Sequence, residues 1–218
     1  MGWGFKSSSE LFKSTADAWM TRDPSVPGGF RPRTIEDDHA VAAQLALSEH
    51  IPEALRDYFD ATRMLWVYGA VYYPFFSMAA VHAGLCIELA LKERYRAEGI
   101  EAESNPPTLA HRLRHAVNAG WLSPDEFTAI RSRRHEHKFL VEAMRNSGLQ
   151  EEIEEPDESP AGRSAALAAL IENARELRNL HAHPDFLMLL MPNWALGHLV
   201  FTRELIEGLF HKPVAPST

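Results

Sequence analysis

Arg178, Asn179, His181 and His183 bring a guanidinium, an amide and two imidazoles together near one helix end, within about two helical turns. Arginine is a permanent cation whose flat fork of donors suits phosphate or carboxylate. Histidine gives or takes a proton near neutral pH. A fixed cation beside a proton carrier is the equipment for handling a phosphate ester. These residues close an amphipathic run over 165–180 and are followed by Pro184. At about 100° per residue, Arg178 and His181 lie on nearly the same helix face, whereas Arg178 and His183 sit about 140° apart. His183 precedes proline, which drives it out of the α region. The helix therefore frays or turns there and frees the imidazole, and a second copy across a two-fold axis would also bring the pair together. Spacing alone allows a plainer account. Arg178 then pairs with an acidic neighbour such as Glu172, and the histidines decorate a helix C-terminus, where the dipole favours positive charge.

Other residues compete for chemical roles. His181-x-His183-x-Asp185 has metal-ligand types, but alternate positions do not share a helix face. A metal there needs an extended segment, so neither metal nor cofactor is expected. Arg131, Arg133, Arg134 and Lys138, with His135 and His137 between them, form the densest basic cluster in the chain. Such a cluster holds phosphates with little sequence preference; a solvated helix face is the ordinary alternative. Arg112, Arg114 and His115 make a second, weaker basic strip. Cys86 sits in an apolar helical run and reads as core rather than nucleophile. Glu88 lies in the same apolar surround, and a buried carboxylate needs a partner. Arg178 is the candidate; a helix edge facing water is the other reading.

The elements that must position these groups are helical. Residues 23–32 are rich in Pro and Gly and read as a loop. Thr34 and Asp37 form a capping-box pattern ahead of a helix over 35–48. Pro52 fits the first turn of a second helix through Leu55, Phe59 and Leu65. Residues 64–87 are nearly free of charge and mimic a membrane span. Pro74 divides them, so two buried helices meeting at Tyr73 and Pro74 are the simpler expectation. The second runs over 74–98 and stops at Gly99. A helix over 109–119 ends at Gly120, and Ser123 with Glu126 caps the next one. Six acidic residues among 150–160 suggest a mobile connector. Asn193 caps a last helix over 194–211. No strand shows clear alternation, and there is neither an internal repeat nor a glycine-rich phosphate loop.

Bulk properties set limits. The chain has 218 residues, 45% of them hydrophobic, which supports a sizeable core. A formal charge of −8 argues against a general nucleic-acid coating protein. One cysteine permits no internal disulfide, which fits a reducing cytoplasm. The first twenty residues lack the pattern of a signal peptide. They form a partly amphipathic arm that packs on its own domain or grips a partner subunit.

Arg178-Asn179-x-x-x-His183 resembles the R-x4-H motif of HEPN domains, including the polar residue that often follows the arginine. The run from Leu85 through Glu88, Lys92 and Arg94 to Tyr95 is similar to the first long helix of many HEPN proteins. The resemblance covers residues 74–211 and implies an all-α antiparallel bundle of HEPN type, with additional N-terminal helices. The expected organisation is an arm and loop over 1–33, helices packed on the bundle over 34–73, the HEPN-like domain over 74–211 and a disordered tail over 212–218. The resemblance implies a metal-independent endoribonuclease of toxin, phage-defence or RNA-processing type. It makes His183 the acid/base, Arg178 the transition-state stabiliser and Asn179 a positioning residue, with His181 auxiliary. Arg131, Arg133, Arg134 and Lys138 would then hold RNA. The expected partners are a second copy joined through the Arg178–His183 helix, an RNA substrate and an antitoxin or other protein, with no membrane. The alternative is a non-catalytic helical dimerisation or RNA-binding module in which Arg178 and His183 are structural.

Overall fold

Thr34 starts the first helix as its sequence predicts. In the structure, a computed structural model, its hydroxyl accepts from the Asp37 N–H at 3.3 Å, and the Asp37 carboxylate accepts from the Thr34 N–H at 2.8 Å. Residues 20–100, 108–123, 127–128, 165, 167–169, 172 and 190–211 are described. Within them the architecture is all-α apart from one short hairpin. The helices are α1 (Ile35–Ala43), α2 (Glu53–Tyr68), α3 (Pro74–Ala97), α4 (Leu109–Asn118) and α5 (Pro192–His211). Residues 165, 167–169 and 172 are also helical.

The hairpin corrects the expected loop. Strands β1 (Met20–Arg22) and β2 (Phe30–Pro32) pair antiparallel, with Thr21 opposite Arg31. Gly28 and Gly29 both adopt positive φ, 88° and 71°, which turns the chain back. Strands of three residues are too short to show a period of two. Arg31 then ties the hairpin to α1. Its guanidinium grips Asp37 in two bonds of 2.6 and 2.7 Å and reaches Asp23 at 3.0 Å. These bonds hold the Asp37 carboxyl well below the usual carboxylate range.

Helix α3 is the axis of the molecule, and α2 and α5 pack along it. Ala79, Ala83, Cys86, Ala90 and Leu91 on α3 are at most 1% exposed, and they face Phe59 and Trp66 of α2 and Leu199, Leu205 and Ile206 of α5 in one core. Alanines on α3 let the neighbouring helices approach closely. By length and composition α3 could cross a membrane; half of its most apolar stretch is buried inside the protein. α1 and α4 add Ala42, Leu113 and Ala116 to the same core.

α1 stops earlier than its periodicity predicts, because tertiary bonds capture the chain beyond Ala43. Ser48 donates from its backbone to Glu207 on α5 at 2.8 Å and from its hydroxyl at 2.9 Å. Arg203 donates to the Ala46 carbonyl at 3.3 Å. Glu204, the next residue on α5, accepts from the Thr128 N–H at 2.9 Å. α5 begins two residues before the expected Trp194, at Pro192. There the Trp66 indole N–H donates to the Pro192 carbonyl at 3.0 Å, and the Leu190 N–H donates to the Ser77 hydroxyl at 2.9 Å.

Candidate functional site

Arg178, Asn179, His181 and His183 lie outside the described residues, as do Arg131, Arg133, Arg134 and Lys138. The acidic connector, the N-terminal arm and the C-terminal tail lie outside them too. Described residues stand on either side of the motif. Before it, Leu167 is completely buried and belongs to the main core. After it, Leu190 and Pro192 are held to Ser77 and Trp66 by the bonds above. Glu172 lines a cleft of about 600 Å³ together with Arg114 and Asn118 of α4, over a floor of Val117 and alanines. Glu88 is half-buried on α3, with one carboxylate oxygen shut off from solvent. Its suggested pairing with Arg178 falls outside the described residues.

The weak basic strip on α4 divides in three dimensions. Arg114 is exposed and faces the cleft. Arg112 and His115 turn the other way and meet α3. This follows from helix geometry, since Arg112 and His115 are three apart and share a face that Arg114 does not. Two glycine stops then bring a tryptophan to the same place. At the end of α3, Gly99 has φ 67°, and Ile100 donates back to the Tyr95 carbonyl at 3.0 Å. At the end of α4, Gly120 has φ 70°, and Trp121 donates back to the Ala116 carbonyl at 2.8 Å. Both are left-handed C-terminal caps that fold the following residue onto the last turn.

The result is a cluster of three rings and two arginines. Tyr95 and His115 have ring centroids 5.1 Å apart, Tyr95 and Trp121 5.4 Å, and His115 and Trp121 5.1 Å. The Arg94 guanidinium lies 5.1 Å from the Trp121 ring and pairs with Glu98. Arg112 lies 5.9 Å from the Tyr95 ring. Cations near aromatic rings at these distances gain from the ring quadrupole. Burial pushes the Tyr95 phenol above its ordinary value, and the Arg112 charge opposes the shift. Tyr95 is therefore a protonated donor at neutral pH. The sequence marked Arg112 and His115 only as basic. Their spacing at i and i+3, followed by a glycine stop and a tryptophan, was the available signal for the cluster.

Cys86 is fully buried and makes a 3.5 Å contact with the Thr62 hydroxyl. Burial pushes its thiol up to about 11, so it carries no reactive thiolate near pH 7. Next to it, the Tyr58 hydroxyl is 2.9 Å from His82 Nδ1. Among the described residues, no three His, Cys, Asp or Glu side chains are grouped to hold a metal ion. His181, His183 and Asp185 lie outside that set.

Comparison with protein-family models, with curated proteins and with solved structures finds no match to the chain.

Proposed function

We propose that this chain is a metal-independent endoribonuclease of HEPN type, working as a cytoplasmic homodimer in a toxin, phage-defence or RNA-processing role. The observation that carries the proposal is the sequence Arg178-Asn179-x-x-x-His183-Pro184 at the end of an amphipathic run. The all-α architecture of the described residues supports it, as do the helical residues 165, 167–169 and 172 before the motif and α5 after it. Met191 at 50% and Trp194 at 60% exposure follow shortly after His183 and offer a second copy an apolar contact.

The chemistry uses the RNA's own 2′-hydroxyl as nucleophile. The 2′ oxygen bonds to phosphorus, the bond to the 5′ oxygen breaks, and a 2′,3′-cyclic phosphate and a 5′-hydroxyl result. His183 takes the 2′ proton or supplies the proton to the leaving oxygen. Arg178 stabilises the charge that grows on the phosphorane oxygens. Asn179 positions the phosphate, and His181 assists. Arg131, Arg133, Arg134 and Lys138 hold the strand by its backbone charge.

The test is cleavage of a labelled structured RNA by wild type and His183→Ala, both in excess EDTA. Cutting by wild type alone, with a cyclic phosphate at the new end, is the expected result. Equal cutting by both proteins sinks the assignment. RNA binding without cutting by either protein favours the non-catalytic RNA-binding module, and a dimer that neither binds nor cuts favours the dimerisation module.

A further inference from the structure

The cluster at the C-terminal ends of α3 and α4 holds polar atoms that the fold leaves without partners. The Tyr95 hydroxyl, the Arg112 Nε and the His115 Nδ1 are all closed to solvent, and none has a hydrogen-bond partner among the described residues. Arg112 also forms no ion pair with any described carboxylate, whereas Arg94 beside it has Glu98. A single buried orphan of this kind costs about 1–3 kcal/mol. Native folds carry few of them, and each calls for an explanation. Here three occur together, on Tyr95 and on the two side chains that pack against it.

We propose that Tyr95, Arg112 and His115 bind a phosphate group. Among the described residues no carboxylate pairs with Arg112, so an anion is the partner that fits. The Tyr95 hydroxyl and the Arg112 Nε both donate, so the partner is an acceptor. His115 donates from Nδ1 in one tautomer or when protonated. Three donors carried on three separate side chains suit a tetrahedral oxyanion, which offers oxygens in several directions; a planar carboxylate offers two in one plane. Tyr95, Arg112 and His115 are each half-buried rather than deep in the core. The site therefore lies close to the surface, and its side chains must move to admit an anion, because the polar atoms themselves are closed to solvent. The Trp121 ring closes one side, and Arg94, which packs on that ring, has its charge matched by Glu98. This inference does not rest on the ribonuclease reading, because the site shares no residue with the Arg178–His183 motif.

The experiment is calorimetric titration of the full chain with inorganic phosphate, with acetate at equal ionic strength as the planar anion. Adenosine monophosphate, run beside them, separates a phosphate ester from the free anion as the source. Wild type should bind phosphate saturably and acetate more weakly. Arg112→Gln should weaken phosphate binding by about tenfold or more, as loss of one charge-assisted bond implies. Tyr95→Phe keeps the ring and should also weaken it. Arg96→Gln removes a solvent-exposed arginine paired with Glu93 and should leave binding unchanged. Acetate binding as tightly as phosphate would overturn the proposal. So would the absence of saturation, or equal affinity in wild type, Arg112→Gln and Tyr95→Phe.

Discussion

The two halves of α3 solve opposite problems. From Pro74 to Ile87 the helix carries no Asp, Glu, Lys or Arg, and neither does the end of α2 from Met64. Here the buried polar groups of α2 and α3 have partners: Trp66 donates to Pro192 and Leu190 donates to Ser77, while Arg33, which packs over the Trp66 ring from outside these helices and pairs with Asp38, keeps two buried nitrogens without a hydrogen bond. From Glu88 to Ala97 the helix bears charge on charge, and its end meets Arg112, His115 and Trp121, where the Tyr95 hydroxyl, the Arg112 Nε and the His115 Nδ1 have no hydrogen-bond partner among the described residues. The first half holds the bundle together. The second departs from the rule that buried polar groups are satisfied, and such departures collect at functional sites. Among the polar groups that α2 and α3 themselves carry, a difference in satisfaction, more than in burial, separates the scaffold from the candidate site.

Trp66→Ala should show the largest effect. Its ring is 1% exposed, stacks edge-on against Phe76 at 6.1 Å and bonds α5 through Pro192. Removing it should cost about 3–5 kcal/mol, read by denaturant unfolding. A loss near that of an ordinary surface substitution would mean that this end does not carry the fold.

Gly69→Ala probes the same end more gently. A Cβ at Gly69 would stand 2.5 Å from the Phe76 ring, which is 2% exposed and wedged against Trp66 and Tyr73. Better helix propensity offsets part of the clash, leaving a net loss of about 2 kcal/mol. An unchanged melting temperature would show that the aromatic packing can yield.

Two smaller substitutions delete the same kind of group at the two ends and should differ in sign. Ser77→Ala removes the acceptor of a buried Leu190 N–H and should destabilise by about 1–2 kcal/mol. Tyr95→Phe removes a hydroxyl that has no partner and should leave stability unchanged or raise it by about 1 kcal/mol in phosphate-free buffer. Equal losses in the two variants would erase the distinction between the halves.

Much of this scaffold was legible in the residues. Thr34 with Asp37, Pro52, Pro74, Gly99 and Gly120 are local signals, and each fixes a helix boundary through its own backbone chemistry. The charge-free run over 64–87 holds the end of α2 and the start of α3 as expected, but the helices do not meet at Tyr73 and Pro74: α2 stops at Tyr68 and a turn over 69–73 precedes Pro74. What failed was non-local. α1 ends at Ala43 because Glu207 and Arg203 capture the chain from α5, and no pattern within residues 35–48 encodes that. The hairpin was missed because a three-residue strand has no readable period. The cluster at the ends of α3 and α4 shows the same limit. Arg112 and His115 read as a basic strip, yet only the docking of α4 on α3 makes them partners of Tyr95. The motif at Arg178 and His183 is the reverse case, a chemical signal carried by sequence alone.

Cys86 sits close to the boundary between the halves and gives the smallest effect. Its thiol is pushed up to about 11, well above the ordinary thiol range, chiefly by burial. A raised acid is stabilised in its protonated form, so the folded state holds the proton more tightly than the unfolded chain. The stabilisation is complete below the unfolded value and is lost as pH rises toward the folded one. Relative to Cys86→Ala, wild type should therefore lose about 1 kcal/mol between neutral pH and pH 10. Alkylation of the native thiol should stay slow across that interval and accelerate only on unfolding. Parallel stability curves for the two proteins, together with rapid alkylation at pH 8, would place Cys86 at an open surface and move the apolar half's edge further up α3.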